Sequence, residues 1–298
     1  MAALPGLACR REPAGPPTGC GRRGDVDSQA PGPHRAAVMP HSQIRVRHAG
    51  AIATVLIDRA EKRNCLDLPM WEAMAATFTT LSADRTLGCV ILRGAGAAAF
   101  CAGADIGSFE RDYGDRAQNA RFAAALDGAL EAIRRCAHPV VAALSGWCMG
   151  GGAGLASVCD FRIGGPGTRF GIPARKLGIW YPYAALDALL QVTSYPTACE
   201  LLIEGRVLEG EECLARGVLT RLVPDEAIFD EVEATAARIA EGAPLSNRFH
   251  KRALQALRGP LPVAPEEIEA AGRYAETEDF QEAVRAFLDK RRPVFRGR

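Results

Sequence analysis

VVAALSGWCMGGGAGLASVCDFRI, residues 140–163, reads as a buried strand ending at Ser145, a turn built on Gly150, Gly151 and Gly152, and a helix beginning near Ala153. Free amides at a helix start, with the helix dipole behind them, attract an anion or a polarised carbonyl oxygen. A second segment, VILRGAGAAAFCAGADIGSF at 90–109, repeats the pattern: a strand, small residues, then Phe100 to Asp105 and a predicted helix. Small side chains let a ligand approach the backbone. They equally permit tight turns and close packing, so composition leaves both readings open. Neither turn has the spacing GxGxxG followed by an acid about 20 residues on, and GxxxxGKS/T is absent, which argues against a nucleotide-phosphate loop.

Around these turns, short apolar strands alternate with amphipathic helices, the pattern of an α/β fold. Strands are predicted at Ile52–Ile57, Cys89–Leu92, Val140–Leu144, Asp160–Ile163 and Leu219–Val223. Helices are predicted over Leu68–Leu81 and over Arg116–Cys136, where Phe122, Leu126, Leu130 and Ile133 recur at helical spacing. After about Ser194 the strands thin out. Helical segments follow near 196–203, 225–241 and 266–290, separated by Gly and Pro at 242–244 and 259–265. The expected organisation is a core over 43–195 and a helical C-terminal region over 196–298, the latter covering the site and forming subunit contacts. Residues 1–42 differ from both. Seven of the 19 prolines and six of the 31 glycines fall within the first 40 positions, without apolar periodicity, so a disordered extension is expected, with Met39 a plausible initiator.

Composition narrows the function. The chain has 298 residues, 48% hydrophobic content, and 36 basic against 35 acidic residues. That balance gives no global attraction for nucleic acid, and no apolar run approaches the roughly 18 residues of a membrane span. Ten cysteines are scattered without paired spacings, which is read as reduced thiols in an intracellular, cytoplasmic protein. The five histidines form no metal or triad pattern, so no metal is expected.

The two glycine turns, with DRAEKRNCLD at 58–67, resemble the enoyl-CoA hydratase/isomerase (crotonase) superfamily. Its motifs occur here in order as Asp58–Leu66, Phe100–Ile106, Gly146–Ile163, Phe170–Gly178 and Glu212–Pro224, and the resemblance runs from about residue 44 to the C-terminus. It implies a crotonase spiral of ββα units, a homotrimer or homohexamer, and an acyl-CoA substrate, with coenzyme A present as part of that substrate and no permanently bound cofactor. It also implies an oxyanion hole made by the amides of Ala104 and Gly151. Two fixed N–H donors stabilise the charge that develops on a thioester oxygen; losing one costs about 3 kcal/mol in the barrier. Ala102, Asp105 and Ile106 are then expected along the coenzyme A path, with Lys62, Arg63 and Lys290 as phosphate contacts.

The pattern breaks where a hydratase needs two carboxylates. The aligned positions hold Gly154 and Ala174, neither of which transfers a proton. The segment KLGIWYPYAALDALL at 176–190 offers replacements. Asp187 leads as general acid or base, its pKa raised if the apolar segment desolvates it; an exposed helix face or a basic partner is the alternative. Trp180, Tyr181 and Tyr183 are candidates for the acyl pocket, and Arg175 for a substrate carboxylate. Cys148, beside the glycine turn, has no adjacent base and reads as an inert buried thiol. The leading reading is an acyl-CoA enzyme, lyase or isomerase, that does not perform ordinary hydration. An inactive acyl-CoA binder is the rival.

Overall fold

The computed structural model describes residues 42–105, 107, 116–259 and 276–298. The extension expected over 1–42 therefore lies outside the described residues apart from Ser42, as does Ile106. Strands β1 (Ile44–Ala49) and β2 (Ile52–Ile57) form an antiparallel hairpin. Parallel to β2 run β3 (Cys89–Gly94), β5 (Val140–Leu144), β7 (Phe161–Gly164) and β10 (Arg221–Leu222), completing a six-stranded sheet in the order β1-β2-β3-β5-β7-β10. A second sheet, β4-β6-β8-β9, holds β4 (Ala99–Cys101), β6 (Trp147–Met149), β8 (Arg169–Gly171) and β9 (Val207–Glu209). The chain thus visits the large sheet and then immediately the small one: β3 leads to β4, β5 to β6, and β7 to β8. Helices intervene before each return, so the chain winds as a spiral of ββα turns.

Residue alternation explains why the large sheet is apolar throughout. Val90, Leu92, Val140, Ala142 and Leu144 enter the main core, whereas Cys89, Ile91, Val141, Ala143 and Ile163 form a second cluster with Ile228, Val232 and Ala236 of helix α7 (Ile228–Ala240). Both faces are covered, the condition that favours continuous Val/Ile/Ala runs over an alternating pattern. On the main-core side, α1 (Leu68–Ala83) packs on α2 (Arg116–Arg134). Asp67 caps α1 by accepting from the Met70 amide at 3.1 Å, and Pro69 occupies the first turn.

The remaining helices are α3 (Gly151–Ser157), α4 (Tyr183–Val192), α5 (Tyr195–Cys199), α6 (Gly210–Ala215), α8 (Pro244–Arg258) and α9 (Glu278–Leu288). Three differences from the sequence reading have simple causes. The strands of the second sheet span only three residues each, too few to show a period. Helix α8 went unpredicted because Gly242 and Pro244 read as breakers, whereas Pro244 at the first helical position starts it. The segment 196–203 divides into α5 and a π-helical turn at Glu200–Glu204. Of the helix expected over 266–290, residues up to 275 lie outside the described residues.

Gly146, between β5 and β6, sits at φ +65°, where a Cβ would overlap the Ala98 carbonyl of the adjoining β3–β4 connection. Two successive sheet-to-sheet crossings are therefore in backbone contact. Gly146→Ala should cost about 3 kcal/mol or more in urea denaturation, from strained backbone and overpacking together. Gly50→Ala, at φ +57° but with nothing within 4 Å, should cost only about 1–2 kcal/mol in the same assay.

Candidate active site

The loop after β2 organises the site. Asn64, fully buried at φ 57°, accepts from the Arg59 amide at 3.1 Å and donates from Nδ2 to the Ala95 and Ala99 carbonyls at 3.0 and 2.7 Å, tying this loop to the β3–β4 connection. The Ala102 amide donates to the Arg63 carbonyl at 2.9 Å. One residue pair then fixes the direction of an amide. Leu66 and Ala104 form an isolated parallel bridge, in which Leu66 N–H donates to Gly103 O at 2.8 Å and Asp105 N–H donates to Leu66 O at 2.9 Å. Such a bridge uses the groups flanking Ala104, so the N–H of Ala104 itself points away from Leu66.

Gly151 approaches from the other side. A Cβ on Gly103, at φ +96°, would stand 2.9 Å from Met149 O and 3.1 Å from the Gly151 nitrogen. A Cβ on Gly151 would stand 2.8 Å from Cζ2 of the buried Trp71. Only glycine fits either position without displacement. Gly151 is the first residue of α3, and its N–H precedes the helical hydrogen-bond ladder. Among the described residues neither the Ala104 nor the Gly151 amide has an acceptor. Two donors without acceptors among the described residues thus lie beside one backbone crossing. Trp71 Nε1 is likewise buried without a hydrogen-bond partner among the described residues.

Position 154, on the next turn of α3, carries no side chain, and its space is taken. A Cβ there would lie 3.2 Å from Tyr181 Oη, 3.5 Å from Leu130 Cδ2 and 3.7 Å from Ala185 Cβ. The Tyr181 hydroxyl donates to Gly150 O at 3.0 Å, and burial pushes the phenol well above its usual range. Tyr181 therefore locks the glycine turn and stays a neutral donor. Ala174 is half-buried against the core.

The sequence model described as enoyl-CoA hydratase/isomerase matches residues 47–298. A mevalonyl-coenzyme A hydratase of Beauveria bassiana is 31% identical over 263 residues, covering 82% of this chain and 91% of its own length. A crotonyl-CoA hydratase of Syntrophomonas wolfei is 29% identical over 259 residues, covering 86% and 99%. The crystal structure of an enoyl-CoA hydratase/carnithine racemase from Magnetospirillum magneticum superposes with a TM-score of 0.84 at 41% identity, covering 87% of this chain and 97% of that one. The chain belongs to the enoyl-CoA hydratase/isomerase family. Its spiral of ββα turns is the crotonase fold.

Within that family frame, the expected site residues scatter. Ala102, Ala104, Asp105 and Gly151 gather at the backbone crossing, whereas Ile106 lies outside the described residues. Asp105 is buried and acts structurally: its Oδ2 accepts from Arg59 Nη2 at 2.8 Å and Lys62 Nζ at 2.9 Å, and its Oδ1 from the Gly107 amide at 3.0 Å. Burial alone would raise this carboxyl, but Lys62, Arg59 and the Gly107 amide outweigh it and hold the pKa below the ordinary range. Lys62 thus pairs with Asp105, while Arg63 and Lys290 are exposed at left-handed turn positions, φ 51° and 52°.

The residues expected to act within 176–190 lie on α4 and in the turn before it, and for Asp187 the structure favours the exposed, paired alternative. Asp187 is not desolvated: its side chain is 53% exposed on α4 and paired with Arg134 at 3.2 Å, because it faces α2 at the surface. Trp180 and Tyr183, 94% and 91% exposed, line no acyl pocket within this chain; Tyr181 alone of the three aromatics turns inward. Arg175 lies over Gly205. Cys148 is buried, and desolvation raises its thiol pKa, in keeping with an inert thiol. A cavity of about 670 Å³ bounded by Arg85, Gly88, Pro244 and Arg296 shares no lining residue with the amides.

Sequence reading missed Arg59 as the partner of Asp105, and the wedge of Trp71 against Gly151. Arg59 stood in the quoted DRAEKRNCLD motif, but its partner is 46 residues away. Asp105→Asn should destabilise the fold by about 3 kcal/mol at pH 7, since it strips a buried pair of one charge. A depressed carboxylate pKa stabilises above the unfolded value of about 4, and that contribution disappears as pH falls through the folded pKa. The gap between wild type and variant in urea denaturation should therefore close on acidification.

Proposed function

We propose that this family member binds an acyl-CoA thioester with its carbonyl oxygen between the amides of Ala104 and Gly151, and stabilises the enolate or oxyanion formed there. The observation that carries this reading is the pair of donors without acceptors, set where glycine is sterically required on both sides. Water excluded from such a seat makes each donor stronger than in solution. The coenzyme A moiety enters as part of the substrate, with Ala102, Asp105 and Ile106 along its path and Lys62, Arg63 and Lys290 near its phosphates.

The reaction proposed is proton transfer or bond cleavage next to the thioester, of the isomerase or lyase kind, rather than two-carboxylate hydration. Gly154 and Ala174 supply no acid or base, and Tyr181 fills the space beside Gly154, which supports that exclusion. Exposed Leu254, Leu257, Phe287 and Leu288 on α8 and α9 favour burial in a homotrimer or homohexamer. Among the described residues no helix is long and apolar enough to cross a membrane, and all eight described cysteines are thiols, in line with a cytoplasmic setting.

Titration with acetoacetyl-CoA, read by the ultraviolet absorbance of its enolate, tests the seat. Wild type should bind and shift the ligand toward its enolate. Gly103→Ala, whose Cβ crowds the Gly151 nitrogen, should weaken that binding by about 100-fold or more, the scale of one lost oxyanion donor. Binding without any enolate signal, and no turnover across a panel of acyl-CoA esters, would leave an inactive acyl-CoA binder as the better reading.

A further inference from the structure

We infer that Asp127, on α2, is the group that transfers protons at this site, in place of the acids missing at positions 154 and 174. The inference rests on the thioester reading above and names its base. Asp127 Oδ1 is buried without a hydrogen-bond partner, and no hydrogen bond or ion pair engages this side chain among the described residues. The nearby cations are committed elsewhere: Arg134 to Glu131 and Asp187, and Arg121 to Glu72. A buried carboxylate oxygen left without a hydrogen bond is destabilising, so its persistence calls for a use.

Its place on the helix supplies that use. Residues three and four apart share a flank, so Asp127, Leu130 and Arg134 form one line along α2. Leu130 Cδ2 lies 3.5 Å from where a Gly154 side chain would begin, beside Tyr181 Oη, and Arg134 reaches Asp187 on α4. This flank therefore faces α3 and α4, and Asp127 stands one turn from the vacated acid position, toward the helix start. Burial also raises its carboxyl pKa, the direction that suits a group exchanging protons near neutrality.

In the step assigned, the Asp127 carboxylate removes a proton from the carbon next to the thioester carbonyl. The C–H electron pair becomes the enolate double bond, and the charge moves to the oxygen held by Ala104 and Gly151. The protonated Asp127 then returns the proton to the same carbon or to the far end of an allylic system. Nothing is oxidised or reduced.

The test follows deuterium entry at the α-carbon of 3-hexenoyl-CoA in deuterium oxide by mass spectrometry, with acetoacetyl-CoA affinity and melting temperature measured in parallel. Asp127→Asn should slow exchange by about 100-fold or more, keep the affinity within about threefold, and leave the melting temperature equal or higher, with Asp127→Glu recovering part of the rate. Exchange in Asp127→Asn within about threefold of wild type overturns the inference, as does a loss confined to Asp187→Asn. Wild type that binds acetoacetyl-CoA yet exchanges nothing overturns Asp127 while leaving the thioester seat intact. Wild type that fails to bind acetoacetyl-CoA removes both.

Discussion

The bridge between Leu66 and Ala104 is the contact on which the site depends. Two backbone hydrogen bonds consume the groups flanking Ala104 and thereby turn its N–H away from Leu66. Everything in the DRAEKRNCLD loop serves that orientation. Asn64 pins the loop to the β3–β4 connection, and Arg59 with Lys62 holds Asp105, the residue after Ala104. An amide aimed by such a framework needs no reorganisation when charge appears on a ligand oxygen, which is the physical basis of oxyanion stabilisation.

The second donor is fixed by packing rather than by hydrogen bonds. Gly151 is caught between Gly103 and the ring of Trp71, so the separation of the two amides is set by backbone thickness and one indole. Tyr181 closes the turn from behind through Gly150 O and takes the volume that a side chain at 154 would need. The absence of a carboxylate at 154 is therefore built into the packing. A side chain at 154 would press on the phenol from its first carbon, 3.2 Å away.

Much of the fold was legible in the sequence because its signals are local. The strands Ile52–Ile57 and Val140–Leu144 appear where the apolar runs placed them, and α1 starts at Leu68 where its helix was predicted to begin. The three-residue strands of the second sheet carry no such signal, since each is too short to show a period and pairs with strands far away in the chain. Asp187 illustrates the other limit: the sequence leaves a desolvated acid and an exposed, paired one both open, and helical geometry decides for the exposed one beside Arg134.

The sequence by itself determined the family and the order of the glycine turns, and it named Ala104, Gly151, Gly154 and Ala174 as the positions to inspect, because each is a matter of which residue stands at which motif position. Only the tertiary structure decided that the groups flanking Ala104 bond to Leu66, that Arg59 and Asp105 pair across 46 positions, that Tyr181 stands beside Gly154, and that Asp127 Oδ1 is buried without a hydrogen-bond partner among the described residues. Those facts depend on contacts between segments distant in the chain, and local pattern carries no measure of distance between such segments.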